Sequence, residues 1–194
     1  MATPPFDPPS ERDVMIVSAQ LGRPARDVIG IPARCVCGAP TVVATKPRLG
    51  NGTPFPTLYY LTHPAATAAV STLEATQVMP ELAALLLDAD ADAGDDIGDD
   101  AGVAAAYRHA HEAYLADRES IEHVAEIDGV SAGGMPTRVK CLHALVGHSL
   151  AAGPGVNPIG DLALERCSWS PARCDCPTYD VLDDAGIGRS AAEG

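Results

Sequence analysis

Short apolar, β-branched runs separated by glycine and proline occupy the chain between residues 27 and 61, and they limit the folds open to it. The runs cover residues 27–34, 41–46 and 57–61. Runs of this length, bounded by turn-forming residues, are typical of strands joined by tight connections. The region therefore predicts a small, three-stranded, antiparallel sheet.

Helical patterns lie on both sides of this region. Ser10 is a candidate N-cap for a first helix that Gly22 ends. After Pro64 the chain is rich in Ala and Leu, and five helices are predicted, at residues 65–77, 80–87, 103–126, 136–152 and 160–166. This order predicts an α+β fold in which a mainly helical C-terminal part packs on the sheet.

A chain of 194 residues is long enough to bury one substantial core. We expect a disordered N-terminal tail at 1–9, a single globular domain at 10–166 with an acidic loop at 88–102, and an irregular, cysteine-containing tail at 167–194. The first residues lack the basic and apolar segments of a secretory signal, and no apolar run is long enough to cross a membrane. A cytoplasmic protein without a membrane partner is expected.

The net charge of −13 argues against nucleic acid or anionic membranes as general partners, because both repel an acidic surface. The partner is expected to be a small molecule or another protein. In the acidic loop 88–102, Ala93 stands where a calcium-binding EF-hand loop requires glycine. A solvated linker is the favoured interpretation of this loop.

Cysteine and histidine form the pattern that most strongly indicates chemistry. The chain has six cysteines, and without a secretion signal they are expected to be thiols or metal ligands rather than disulfides. The predicted metal ligands are Cys35, Cys37, His63 and Cys141, which lie at predicted strand ends and near a helix start. Such a set suits zinc, or an iron–sulfur cluster. Cys141 as a buried apolar thiol is the alternative.

Four further residues are less favoured ligands. Cys141 and His148 share a helix face but are separated by about 10 Å of helical rise, which is too far for one ion. The tail can supply additional thiolates, or its cysteines can be free. The less favoured set is His148, Cys167, Cys174 and Cys176.

A glycine-rich loop before the predicted helix 136–152 suggests a second kind of site. Free backbone amides and the helix dipole favour anions at such a position. The candidate anion-binding residues are Gly133, Gly134, Arg138 and Lys140. An ordinary helix start with solvated basic residues is the alternative, and it is favoured.

Candidate acid–base catalysts are His143 and His111. His111 shares a helix face with Tyr107, Tyr114 and Arg118, and packing is the favoured role of that face. The sequence contains no nucleotide-cofactor motif and no common hydrolase motif. Whether the protein is an enzyme is left open.

Three stretches together resemble the bacterial family known as domain of unknown function 501. They are Arg34 to Pro40, Gly52 to Pro64 and Gly133 to Leu145, continuing to His148 and Asn157-Pro158. The resemblance spans about residues 12–165 and implies a bacterial cytosolic protein. The family has no established activity, so the resemblance implies no catalytic role for any residue.

Three functions are therefore considered. The first is a metal-binding protein with a zinc or iron–sulfur site. The second is an enzyme that binds a small molecule or phosphate-type anion at the loop and helix start 131–140. The third is a non-catalytic protein-interaction module that uses the acidic loop.

Overall fold

The structure is a computed structural model that describes residues 6–87 and 99–177, with the side chains of 99–101 excepted. Most of the predicted N-terminal tail, most of the acidic loop and the end of the C-terminal tail lie outside the described residues. Within the described part, no helix is long and apolar enough to cross a membrane.

The predicted sheet is present. Its strands are β1 (Val28–Arg34), β2 (Pro40–Thr45) and β3 (Tyr59–Leu61), all antiparallel, with β2 in the centre. Every residue of β2 is buried. Its side chains alternate between two cores, as the pleat of a strand requires. Val43 packs with residues of the first helix, whereas its neighbours face the main core.

Six α-helices complete the α+β fold in the described part. They are α1 (Glu11–Leu21), α2 (Pro64–Ala75), α3 (Val78–Ala84), α4 (Asp99–Ile121), α5 (Leu142–Ala152) and α6 (Pro158–Arg166). The predicted cap of α1 is confirmed, because the Ser10 side chain accepts from the Asp13 amide and the Asp13 carboxylate accepts from Ser10. Gly22 ends α1 in the left-handed conformation.

Two predicted helix boundaries are wrong by five residues or more. Residues 136–141 are not helical, because Gly133 and Arg138 use their carbonyls elsewhere: Gly133 accepts from the amides of Lys140 and Cys141, and Arg138 from the Tyr107 hydroxyl. The helix therefore begins at Leu142.

The long helix α4 ends at Ile121 rather than 126, and a short 3-10 helix follows at Ala125–Ile127. The buried Arg118 side chain donates to the carbonyls of Ile127 and Val130, which folds the chain back over α4. Tyr107 and Tyr114 on the same face are also fully buried, which supports the packing role expected for it.

Helix α5 lies at the centre of the main core and contacts β3 and α6 closely. A methyl group on Gly147 would lie 3.0 Å from the Tyr59 carbonyl of β3. One on Gly160 of α6 would lie 2.4 Å from the Leu145 carbonyl of α5. The absence of side chains at these glycines allows the backbones to approach, and this packing fixes the ends of β3 and α6 that lead to the candidate site.

Candidate metal centre

The tight turn between β1 and β2 carries the first two thiols of the site. The Cys35 amide donates to the Ala39 carbonyl and the Gly38 amide donates to the Cys35 carbonyl, both at 2.8 Å. Gly38 has a φ of 86°, which glycine adopts without strain. The turn therefore holds Cys35 and Cys37 at the same end of the sheet.

Arg34 anchors this turn to α1. Its guanidinium contacts both carboxylate oxygens of Asp13, at 2.6 and 3.0 Å, and also donates to the Gly38 carbonyl at 2.9 Å. The hydrogen bond from Arg34 is the main reason that the pKa of Asp13 falls to about 2. A bidentate pair of this kind constrains the orientation of the guanidinium relative to the carboxylate as well as the distance between them.

The chain after α6 returns to the same turn. Trp169, the single tryptophan of the protein, is 3% exposed, and its ring lies 5.4 Å from the His63 ring. Beyond it, Arg173 forms an ion pair with Asp175 at 2.9 Å. The buried tryptophan fixes the path of this segment, which places Cys174 and Cys176 beside the β1–β2 turn.

The four thiols, here called the four-cysteine cluster (Cys35, Cys37, Cys174 and Cys176), form one compact group. All four sulfur atoms lie within 4.8 Å of one another, and those of Cys37 and Cys176 are 3.4 Å apart. A tetrahedral zinc ion with Zn–S bonds of about 2.3 Å separates its sulfur ligands by roughly 3.8 Å. The spacing of the cluster is therefore compatible with one metal ion.

The thiols have unequal acidities. Burial raises the pKa of Cys35, and burial followed by the neighbouring thiols raises that of Cys176 well above the usual range. Burial also acts to raise the pKa of Cys37, but hydrogen bonds from the Ala39 amide and from Cys176 outweigh it and lower the pKa. Four thiolates this close repel each other, so full ionisation requires a cation among them.

His63 lies at the edge of the four-cysteine cluster and is fully buried. Its Nδ1 accepts from the Ala66 amide at 3.3 Å, which caps α2, and its Nε2 lies 3.1 Å from the sulfur of Cys176. Because Nδ1 is an acceptor, Nε2 carries the proton and donates to Cys176. Burial lowers the pKa of His63, which keeps the ring neutral.

The structure brings together only part of the favoured ligand set. Cys35 and Cys37 are in the cluster and His63 contacts it, but Cys141 is instead grouped with Glu74 and His143. The less favoured Cys174 and Cys176 take part. The signal in the sequence is the repeated Cys-x-Cys spacing, which the distance of about 140 residues between the two pairs obscures.

The remaining less favoured ligands lie elsewhere. The Cys167 thiol donates to the carbonyls of Leu164 and Trp169. The His148 ring is fully buried, stacked on Tyr59 and edge-on to Tyr114. Neither belongs to the four-cysteine cluster.

The candidate anion-binding residues line a separate depression of about 440 Å³, beside Cys141. Gly133 and Gly134 have φ values of 71° and 98°, and a side chain on Gly134 would meet the Arg138 carbonyl at 2.7 Å. The loop thus needs both glycines for its own path. The first amide of α5, that of Leu142, already donates to the Glu74 carboxylate at 2.7 Å, so this amide is not free to bind another anion.

His111, the other candidate acid–base residue, is half-buried, and its Nδ1 lies 2.9 Å from the Ser131 hydroxyl. A further depression of about 700 Å³, lined by Arg23, Arg26 and Asp27 among others, contains no cysteine or histidine. The thiol chemistry of the described chain is thus concentrated at the four-cysteine cluster and around Cys141.

Fold and site together define an α+β protein with a compact group of four thiols that can hold a metal. A family model described as "Protein of unknown function (DUF501)" matches residues 31–165. The chain belongs to this family, which confirms the resemblance. Cys35, Cys37 and His63 fall within the matched residues, whereas Cys174 and Cys176 lie beyond them. Comparisons with curated proteins and with solved structures found no match.

Proposed function

We propose that this protein binds one zinc ion in the four-cysteine cluster. The observation that carries the proposal is the convergence of two Cys-x-Cys pairs to within 4.8 Å, from opposite ends of the chain. Four thiolates in a tetrahedron form a closed site, which is the arrangement of structural zinc.

Zinc fits better than an iron–sulfur cluster. In a cluster the thiolates bind different iron atoms of a larger inorganic core, so the sulfur atoms lie further apart than around a single ion. The separation of 3.4 Å between Cys37 and Cys176 suits ligands of the same ion. A mononuclear iron site has the same sulfur ligands and is the alternative that metal analysis distinguishes.

His63 is proposed to support the site without ligating the ion. A ligand at Nε2 would require the proton to sit on Nδ1, which faces the Ala66 amide hydrogen. With the proton on Nε2, the ring donates to the Cys176 thiolate and offsets part of its charge. Hydrogen bonds of this kind orient ligands and tune metal sites.

The proposed role of the ion is to fasten the chain after α6 to the β1–β2 turn. Beyond the buried Trp169, the chain from 170 to 177 is largely exposed, so it buries little apolar surface of its own. Zinc bonds supply the binding energy that such a segment lacks, because metal binding free energy becomes folding free energy.

The test is metal content of purified protein prepared under reducing conditions, with single cysteine variants. We expect one zinc ion per chain in the wild type and loss of it in Cys37→Ser and Cys176→Ser. The matched control is Cys167→Ser, because Cys167 lies in the same C-terminal segment but bonds only to carbonyls. Zinc retained in both ligand variants, or lost equally in the control, would contradict the proposal.

A further inference from the structure

Cys141 lies in a second group of reactive side chains, away from the four-cysteine cluster. It is the N-cap residue of α5, His143 follows two residues later, and Glu74 reaches the pair from the last turn of α2. One ligand-type atom of each lies within 4.8 Å of the other two. All three residues are half-buried, so the thiol is held in place but remains accessible to solvent.

The surroundings of His143 favour its charged form. Its Nε2 lies 3.2 Å from the Thr67 carbonyl and 3.1 Å from the Ser71 hydroxyl, and its Nδ1 lies 3.3 Å from the Glu74 carboxylate. A carbonyl and a carboxylate only accept hydrogen bonds, so both ring nitrogens need a proton. An imidazolium satisfies this requirement, whereas a neutral ring leaves a lone pair facing an oxygen.

The electrostatics agree with this geometry. The neighbouring Cys141 thiol, followed by the charge of Glu74, raises the pKa of His143 to about 9 against the opposing effect of burial. The neighbouring His143 is in turn the main reason that the pKa of Cys141 is lowered. A thiolate and an imidazolium therefore stabilise each other here, which is the usual way in which proteins activate cysteine.

The approach to Cys141 is basic. The depression of about 440 Å³ beside the thiol is lined by Arg138 and Lys140, both exposed. In a protein of net charge −13, this local pair of positive charges favours a negatively charged reactant at this position.

We propose that Cys141 is a reactive thiolate that attacks small anionic electrophiles entering this depression. The sulfur lone pair forms a bond to the electrophilic atom, and the bond to the leaving group breaks, so that the leaving group departs with its electron pair. His143 stabilises the thiolate before attack, and Glu74 is a positioning residue for the ring. Arg138 and Lys140 select for negative charge.

The first test measures the alkylation rate of each cysteine by mass spectrometry across pH, on the full chain with its metal retained. The probe is iodoacetamide, which forms a carbon–sulfur bond and releases iodide. An ordinary thiol, with a pKa of about 8.5, is only a few per cent ionised at pH 7. Cys141 should react with a pH midpoint below that ordinary value. His143→Gln should slow its alkylation at pH 7 roughly tenfold, because the variant loses most of the thiolate, although the more basic thiolate that remains is a somewhat better nucleophile.

The second test compares iodoacetate with iodoacetamide, which differ mainly in charge. Arg138→Gln combined with Lys140→Gln should reduce the iodoacetate rate at Cys141 several-fold and leave the iodoacetamide rate unchanged. The matched control removes two positive charges from another depression, with Arg23→Gln and Arg26→Gln. An equal reduction in the control would show only an effect of net charge and would overturn the selection for anions.

Two outcomes would overturn the reactive thiolate itself. One is a pH midpoint for Cys141 that equals the ordinary thiol value and does not move in His143→Gln, with the fold of the variant verified by circular dichroism. The other is protection of Cys141 until a chelator is added, because that result would make Cys141, His143 and Glu74 ligands of a metal ion.

Discussion

The hydroxyl of Tyr114 joins α4 to the chain that enters β3, and its removal provides a sharp test of the core. It accepts from the Leu58 amide at 2.5 Å and donates to the Pro56 carbonyl at 3.1 Å. Tyr114 is fully buried and Leu58 is 1% exposed, so the amide of Leu58 has no access to solvent. Tyr114→Phe keeps the ring and deletes both hydrogen bonds.

The expected cost follows from the groups left behind. A buried donor without a partner costs about 1–3 kcal/mol, whereas the half-buried Pro56 carbonyl can be hydrated and adds less. We therefore expect Tyr114→Phe to lower the free energy of unfolding by about 2 kcal/mol. For a domain of this size, such a loss lowers Tm by about 4–8 °C.

Urea unfolding monitored by circular dichroism measures this cost. The matched control is Tyr60→Phe in β3, because Tyr60 is 38% exposed. The control should change the free energy of unfolding by less than about 0.5 kcal/mol. Equal stability of the two variants would refute the buried hydrogen bond and the position of α4 over β3.

Two further perturbations test the packing of α5. Gly160→Ala should destabilise the fold by more than about 1 kcal/mol, because the new methyl group would lie 2.4 Å from the Leu145 carbonyl. The control Gly102→Ala, in the exposed part of α4, should be neutral or stabilising. Equal unfolding midpoints for the two variants would contradict the close approach of α6 to α5. Burial lowers the pKa of His148 to about 4, so the unfolded chain takes up a proton below about pH 6.5 before the folded chain does. The free energy of unfolding should therefore fall by up to about 1.4 kcal/mol per pH unit as the pH is lowered from 6.5 to 4. A His148→Gln variant whose unfolding free energy has the same pH dependence as that of the wild type would contradict this.

The sheet was predictable from local signals, whereas one helix start was not. The three strands, the Ser10 cap and the Gly22 stop follow from neighbouring residues, and all are present. The predicted helix start at 136 failed because the carbonyls of Gly133 and Gly134 accept hydrogen bonds within the loop, and that of Arg138 accepts from Tyr107, which is 31 residues away in sequence. Contacts of this kind are invisible to periodicity.

The sequence predicted which residue types form the candidate site, but it predicted only in part which of those residues come together. Cys35 and Cys37 are two residues apart in sequence, so their shared position follows from the turn. Their meeting with Cys174 and Cys176 depends on the path of the chain after α6, which the burial of Trp169 fixes. Cys141 was expected in the same site because it lies near a helix start, but α2 places Glu74 beside it instead.

The proposed zinc site and the proposed reactive thiol have separate tests. Cys141→Ser should abolish the fast alkylation and leave the zinc content unchanged, because Cys141 is not part of the four-cysteine cluster. Cys176→Ser should do the reverse. Loss of both properties in either variant would mean that the two groups depend on each other.

X-ray absorption spectroscopy at the zinc edge tests the central proposal most directly, because it counts and identifies the atoms bound to the ion. The proposed site predicts four sulfur neighbours at about 2.3 Å and no nitrogen. A shell of three sulfurs and one imidazole nitrogen would make His63 a ligand, and protein without bound metal would leave the four cysteines as free thiols. Either result would contradict the four-cysteine zinc site.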